Sequence, residues 1–349
     1  MKELIEKRSL PELLSREEML EILQREEYGF MPKKPERIEF SKTQLRNDNV
    51  FAGKGKLWEI TITTEINKKI FSFPVALMIP EGDGPYPFIV NINFEKNIPN
   101  YYFPAEEILD NGFAAFNLYF KDVTSDNDDF TDGLAGIFYP DGKRKETDCG
   151  KIALWAWAAQ RCLDYAETEA RLDMKRATVC GHSRLGKTAL LAGATDTRFS
   201  FVHSNCSGCS GAAIARENTG ETVSDICRVF PYWFCENYKK YVNNESNMPF
   251  DQHFLLAASA PRFVSVTSAT EDDWADPTGE QLSCFAASSA FEKQGLKGFV
   301  CDRKAETGEV YTDGNIGYFL RKGRHFYSRE DWNFLMSFIK KHSASTPKS

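Results

Sequence analysis

The chain has 349 residues, with 43 Lys+Arg against 50 Asp+Glu for a net charge of −7, and 42% of it is hydrophobic. The length exceeds the ~250–300 residues at which one core stops growing, so a large domain with insertions or a pair of domains is expected. The acidic balance excludes a protein built to displace counterions from nucleic acid, no uncharged stretch reaches the ~18 residues that cross a bilayer, and Met1-Lys-Glu-Leu-Ile-Glu-Lys-Arg-Ser lacks a secretory apolar segment, so a cytoplasmic protein is expected.

Ser15-Arg-Glu-Glu18 forms a capping box ahead of Met19, Leu20, Ile22 and Leu23, which predicts a helix from Ser15, closed by the Gly29 to Lys34 stretch. Three β-rich runs follow at 37–45, 57–66 and 70–79. The second alternates Trp58, Ile60, Ile62 and Thr64 with Glu59, Thr61 and Thr63, and together they predict an antiparallel meander. Residues 1–80 therefore read as a helix and β extension of the same domain as the rest. After Gly82-Asp-Gly-Pro-Tyr-Pro the grammar changes to short apolar strands at 88–93, 113–120, 177–180, 201–204 and 263–267, separated by longer segments. That alternation predicts a mostly parallel buried sheet, an α/β core over 81–340.

Lys143, Arg144 and Lys145 read as a solvated loop, and Ile152, Trp155, Ala156, Ala159, Leu163 and Ala166 recur at helical spacing. The segment 206–260 is too long for a simple connection; its Phe230, Tyr232, Trp233, Phe234 and Tyr238 suit a cap over a site or plain core equally well. The polar tail, 341–349, is expected to be disordered. Nine cysteines, an odd number scattered along the chain, fit reduced thiols. His203-x-x-Cys206-x-x-Cys209 offers three metal ligands where a structural zinc needs four, so these read as small buried residues at a strand end.

The sharpest motif is Val179-Cys-Gly-His-Ser183-Arg-Leu-Gly186-Lys-Thr-Ala-Leu-Leu, a short strand, a turn and an apolar helix. Read as Gly181-x-x-x-x-Gly186-Lys187-Thr188 it fits a phosphate-binding loop, whose N–H groups and lysine grip phosphates. Read as Gly181-His-Ser183 it is a nucleophile elbow, which projects a serine hydroxyl at a helix N-terminus, although Leu185 stands where that motif has its second glycine. A phosphate loop also needs an acid closing a neighbouring strand to hold magnesium, and neither 201–204 nor 263–267 ends in one. The elbow, in contrast, finds partners in α/β-hydrolase chain order: Asp272 past the 263–267 strand, then His325 in a loop after the apolar run 316–320. Of the other histidines, His182 adjoins the serine, His203 sits on a strand, His253 precedes an apolar helix and His342 lies in the tail.

Gly-His-Ser-Arg-Leu-Gly-Lys at 181–187, Ser-Gly-Cys-Ser-Gly-Ala-Ala at 207–213, Ala-Pro-Arg at 260–262, Trp-Ala-Asp-Pro at 274–277, and Gly323-Arg-His325 before Asp331-Trp332 follow one another in order. Over about residues 80–335 this combination resembles the glucuronoyl esterases, carbohydrate esterase family 15, whose bacterial relatives are often labelled acetyl xylan esterases. The resemblance implies an α/β-hydrolase fold, a three-layer sandwich with an N-terminal β extension, hydrolysis of esters on plant cell-wall sugars, and no metal or organic cofactor. It implies Ser183 as nucleophile, His325 as base, Arg184 with backbone N–H groups as oxyanion hole, and Lys187 and Trp274 as residues gripping a uronic acid. One departure stands out: many members carry the catalytic glutamate where this chain has Cys206, while others place an acid after the later strand, where Glu271-Asp-Asp273 lies. Asp272 is taken as the acid because it lies two residues before Trp274, with Glu271, Asp273 and Asp276 as competitors. The functional expectation is a serine esterase for glucuronoyl esters on a small or oligosaccharide substrate, without nucleic-acid or membrane partners. A sugar acetylesterase, a phosphate-loop nucleotide hydrolase and a non-catalytic sugar-binding relative stay open beside it.

Overall fold

The carboxyl ends of four neighbouring parallel strands converge on one edge of a ten-stranded sheet, and the loops leaving them carry the residues of interest. The computed structural model describes residues 1–45 and 51–343. Its strands are β1 (Arg37–Gln44), β2 (Gly55–Ile66), β3 (Lys69–Pro80), β4 (Tyr86–Asn93), β5 (Ala114–Tyr119), β6 (Leu172–His182), β7 (Phe201–Asn205), β8 (Phe263–Ala269), β9 (Val310–Tyr311) and β10 (Ile316–Arg321). They lie in the order β1-β2-β3-β5-β4-β6-β7-β8-β10-β9. The stretch from β5 through β10 is parallel, while β1, β2 and β3 form an antiparallel meander that joins β5. The alternation read along β2 pairs with β3 in one continuous register from Gly55↔Pro80 to Ile66↔Lys69.

Because side chains alternate between faces of a strand, each strand feeds two cores. In β4, Phe88, Val90 and Ile92 join one core with Trp155 and Leu190 of the helices Lys151–Ala166 and Arg184–Thr195. Ile89 joins the other with Ile108 and with Trp332, Leu335 and Phe338 of the helices Ala105–Asp110 and Arg329–Ser343. These are the two outer layers of a three-layer α/β-hydrolase fold. Among the described residues no helix is long and apolar enough to cross a membrane.

Several elements differ from the sequence reading. β6 starts at Leu172, five residues before its apolar run, and residues 341–343 continue the last helix, with 344–349 outside the described residues. Arg144 is not solvated: its guanidinium lies 4.0 Å over the Phe130 ring and donates to the Phe234 carbonyl at 3.0 Å. Segment 206–260 serves both of its possible roles. Phe234 and Tyr238 are buried in the main core, while Phe230, Tyr232 and Trp233 wall one side of the site.

Gly193 fixes how closely the helix Arg184–Thr195 approaches β7, since a Cβ there would lie 2.2 Å from Val202 Cγ2 and 2.7 Å from Cγ1. Gly193→Ala is expected to destabilise the fold by about 1–3 kcal/mol through overpacking, read as a lower urea midpoint at unchanged m-value. An unchanged midpoint would mean that the helix can move off the sheet without cost.

Candidate active site

β6 ends at His182 and a helix begins at Arg184, leaving Ser183 to make the whole turn at φ 58 and ψ −129. The turn is sharp because small residues let its two arms close. A Cβ on Gly181 would meet the Leu185 carbonyl oxygen at 2.2 Å, and one on Gly186 would lie 2.8 Å from Ser204 Oγ and 3.0 Å from Ser207 Cβ. This accounts for the displaced second glycine: Leu185 is buried in the core, whereas Gly186 is the position that touches β7 and its outgoing loop. The Ser183 N–H donates to the Asn205 carbonyl at 2.9 Å, tying the elbow to β7. The Arg184 N–H, at the first helical position, has no acceptor within the helix.

Asp272 and His325 meet across the same edge. The His325 Nδ1 lies 2.6 Å from Asp272 Oδ2, with the carboxylate buried and the imidazole 41% exposed. Of the four acids read as contenders, only Asp272 does this. Glu271 is exposed and 3.6 Å from Arg324, Asp273 is exposed, and Asp276 caps the helix Pro277–Glu292 by accepting from the Gly279 N–H at 2.9 Å. Behind His325 lies the buried His182, ring to ring at 4.4 Å, with its Nδ1 2.6 Å from Asn205 Oδ1. Burial first, and then the neighbouring His325, holds His182 well below the ordinary histidine range, so it packs as a neutral ring.

The loop that carries His325 is stapled from below by Arg321, a residue the sequence reading passed over. Its guanidinium donates to Asp331 at 2.8 Å and to the Lys322, Arg324 and Phe326 carbonyls. Glu280, also missed, braces the other loops. It accepts from the Ser207 and Gly208 N–H groups at 2.8 and 3.0 Å and from the Ser268 hydroxyl at 2.5 Å, and burial pushes its carboxyl up to about 8.

Arg184 projects from the elbow into a clamp. Its Nη1 is 2.5 Å from Asp126 Oδ2, and its guanidinium lies 4.5 Å over Trp233 and 4.9 Å over Phe230, rings that stack on each other at 3.8 Å. Asp126 is held in turn by the Trp233 indole N–H at 2.9 Å, and its carbonyl accepts from the Tyr232 hydroxyl at 2.9 Å. The buried Lys151 ammonium fastens the 123–132 loop through Thr124, the Asp129 carbonyl and Asp132. One donor of Arg184, the buried Nε, has no acceptor among the described residues. Asp126 sits in the acidic run Ser125-Asp-Asn-Asp-Asp129, which carries no signal beyond a solvated loop.

Lys187 is held from inside the protein. Its ammonium is buried and donates to the Ser207 and Cys209 carbonyls and to Glu221, the last at 3.0 Å, so its three protons are spent inside the protein. It thereby positions the Glu221 carboxylate. The same placement removes the phosphate-loop reading, because Lys187 does not project from the loop and the Thr188 hydroxyl turns back to the Arg184 carbonyl at 3.0 Å. Trp274, 56% exposed, stands on the rim in the loop of Asp272, and its carbonyl accepts from the Glu221 N–H at 2.8 Å. Ser183, Arg184, Asp272, His325, Trp274 and the Lys187–Glu221 pair therefore share one edge of the sheet.

Known proteins resemble this chain over most of its length. The family described as "Glucuronyl esterase, fungi" matches residues 60–295. The carbohydrate esterase MZ0003 of an unknown prokaryotic organism is 40% identical over 242 residues, 68% of this chain and 55% of its own. The 4-O-methyl-glucuronoyl methylesterase of Podospora anserina is 32% identical over 281 residues, 77% of this chain and 51% of its own. The chain thus spans about half the length of these curated relatives. Among solved structures, a glucuronoyl esterase from Solibacter usitatus superposes with a TM-score of 0.85 at 30% identity, covering 95% of this chain and 97% of its own.

Asp126→Asn keeps an acceptor for the Trp233 indole but removes the charge that fixes Arg184. It is expected to slow ester hydrolysis about 10–100-fold, the order of one misplaced oxyanion donor, mostly in kcat. An unchanged kcat would mean that Arg184 holds its place by stacking alone or takes no part.

Proposed function

Since the chain belongs to the glucuronoyl esterase family, we propose that it is a serine hydrolase that cleaves 4-O-methyl-glucuronoyl-type esters on hemicellulose-derived sugars, with Ser183, His325 and Asp272 as its triad. The observation that carries the reading is the 2.6 Å contact between the buried Asp272 carboxylate and His325 Nδ1, on the same sheet edge as a serine held in an elbow. That contact fixes the tautomer that leaves Nε2 free to accept a proton.

In the reaction, Ser183 Oγ forms a bond to the ester carbonyl carbon, its proton passes to His325, and the carbonyl π pair moves onto oxygen. Arg184 and the N–H at the helix start face that developing charge, at about 3–4 kcal/mol per donor. Asp272 balances the imidazolium. Collapse breaks the bond to the leaving alcohol, which takes the proton from His325, and water then repeats the sequence on the acyl-serine. The buried Glu221, fixed by Lys187, and the exposed Trp274 ring give the sugar a hydrogen-bond acceptor and an apolar rim.

The test is methanol release from methyl glucuronate, run beside acetate release from acetylated xylo-oligosaccharides. Methanol release is expected from the wild type. Ser183→Ala should abolish it, Asp272→Asn should lower kcat by about 10⁴-fold, and Asp273→Asn should stay within about twofold, as for an exposed side chain outside the machinery. Full activity in Ser183→Ala would sink the assignment. Acetate release alone would make the protein a deacetylase, and sugar binding without turnover would make it a binding relative.

A further inference from the structure

His203, Cys206 and Cys209, adjacent in sequence as possible metal ligands, do not converge. The His203 Nδ1 lies 2.9 Å from Ser265 Oγ on β8, and the Cys209 thiol lies beside Ser210 at 3.7 Å. Cys206 has other company. Its Sγ, a carboxylate oxygen of Asp272 and a ring nitrogen of His325 all lie within 4.8 Å of one another, the one such group of three potential ligands among the described residues. The three come from loops leaving the carboxyl ends of β7, β8 and β10, neighbours in the sheet. Cys206 is turned into this corner by a φ of 45, with its N–H donated to the Thr267 carbonyl at 2.8 Å. The ester hydrolysis described above makes no use of its thiol.

We propose that Cys206, Asp272 and His325 form a site for a thiophilic divalent cation, of which zinc is the natural example, and that its binding switches ester hydrolysis off. Thiolate, imidazole and carboxylate are the donor set that zinc takes at 2.0–2.3 Å in tetrahedral sites, where ligand atoms stand about 3.3–3.8 Å apart. Atoms already within 4.8 Å of one another need shift by only about an ångström, and all three residues sit on loops outside the strands. The 41% exposed imidazole gives the ion a way in from solvent, and water completes the coordination. On binding, the Cys206 S–H bond breaks and its proton passes to the buffer. Bonds form from zinc to sulfur, to nitrogen and to carboxylate oxygen, with no change of oxidation state. Coordination at either ring nitrogen removes the base: at Nε2 it occupies the lone pair, and at Nδ1 it displaces the hydrogen bond to Asp272. The inhibitory consequence rests on His325 being the base; the site itself does not.

The experiment compares wild type with Cys206→Ser, and with Cys206→Ala as a second variant should the first fail to fold. Cobalt(II) serves as a spectroscopic probe, and zinc chloride is used in binding and rate measurements in a non-coordinating buffer. Wild type is expected to take up one metal ion with a thiolate-to-cobalt charge-transfer band in the near ultraviolet, which the Cys206 variants lack. Zinc should inhibit wild-type ester hydrolysis reversibly, with full recovery on chelation. The half-inhibitory concentration, each protein being referred to its own metal-free rate, should rise at least tenfold in the variants. A wild-type protein without the band, or a band or inhibition equally strong in the Cys206 variants, would overturn the proposal. If the protein proves to have no esterase activity, the cobalt band still decides whether the metal site exists.

Discussion

Ser183 holds φ 58, a backbone region that costs a residue with a Cβ about 1–3 kcal/mol, and the packing around it keeps it there. Gly181 and Gly186 let the strand and the helix close on each other, Gly193 lets the far end of the helix press on Val202, and the Ser183 N–H is claimed by the Asn205 carbonyl. None of these contacts is chemical in purpose, yet each is needed for a hydroxyl to stand clear at a helix N-terminus. The strain sits at one residue because both arms of the turn are rigid, a buried strand and a buried helix.

The other groups reach the same edge through buried ions that tie loops to the frame. Lys151 gathers the 123–132 loop that brings Asp126 to Arg184, Lys187 gathers the 207–209 turn and Glu221, and Arg321 gathers the carbonyls around His325. A buried charge is costly unless paired and fully hydrogen-bonded, so each such residue fixes several partners at once. Four positive side chains near the candidate site suggest a simple electrostatic trap. The structure assigns them differently: three hold the scaffold, and Arg184 alone keeps an uncommitted buried donor.

Much of this was legible in the sequence because it is local. The alternation in β2, the capping box at Ser15, the apolar strands and the stripe of the 151–166 helix are periodic signals that tertiary structure did not override. That Ser183, Asp272 and His325 share one edge of the sheet was legible for the same reason, since each follows a strand. Among Glu271, Asp272, Asp273 and Asp276 the choice of Asp272 rested only on its spacing to Trp274, because neighbouring acids in one loop differ in direction, and direction is set by the short 3₁₀ turn and the left-handed Asp276. Asp126, Glu280 and Arg321 stayed hidden because their partners lie elsewhere in the chain or on backbone atoms, which leave no spacing to read. The partners of Lys187 were equally hidden, because the acceptors that hold it lie beyond β7.

The central claim is that Ser183 is a nucleophile activated by His325. Labelling with a fluorophosphonate ester, followed by peptide mass mapping, tests it most directly because it needs no knowledge of the natural substrate. The account predicts one phosphonyl group per chain, on the peptide that contains Ser183, with labelling strongly slowed in His325→Ala. A label on another serine, or labelling of Ser183 at the same rate without His325, would contradict it.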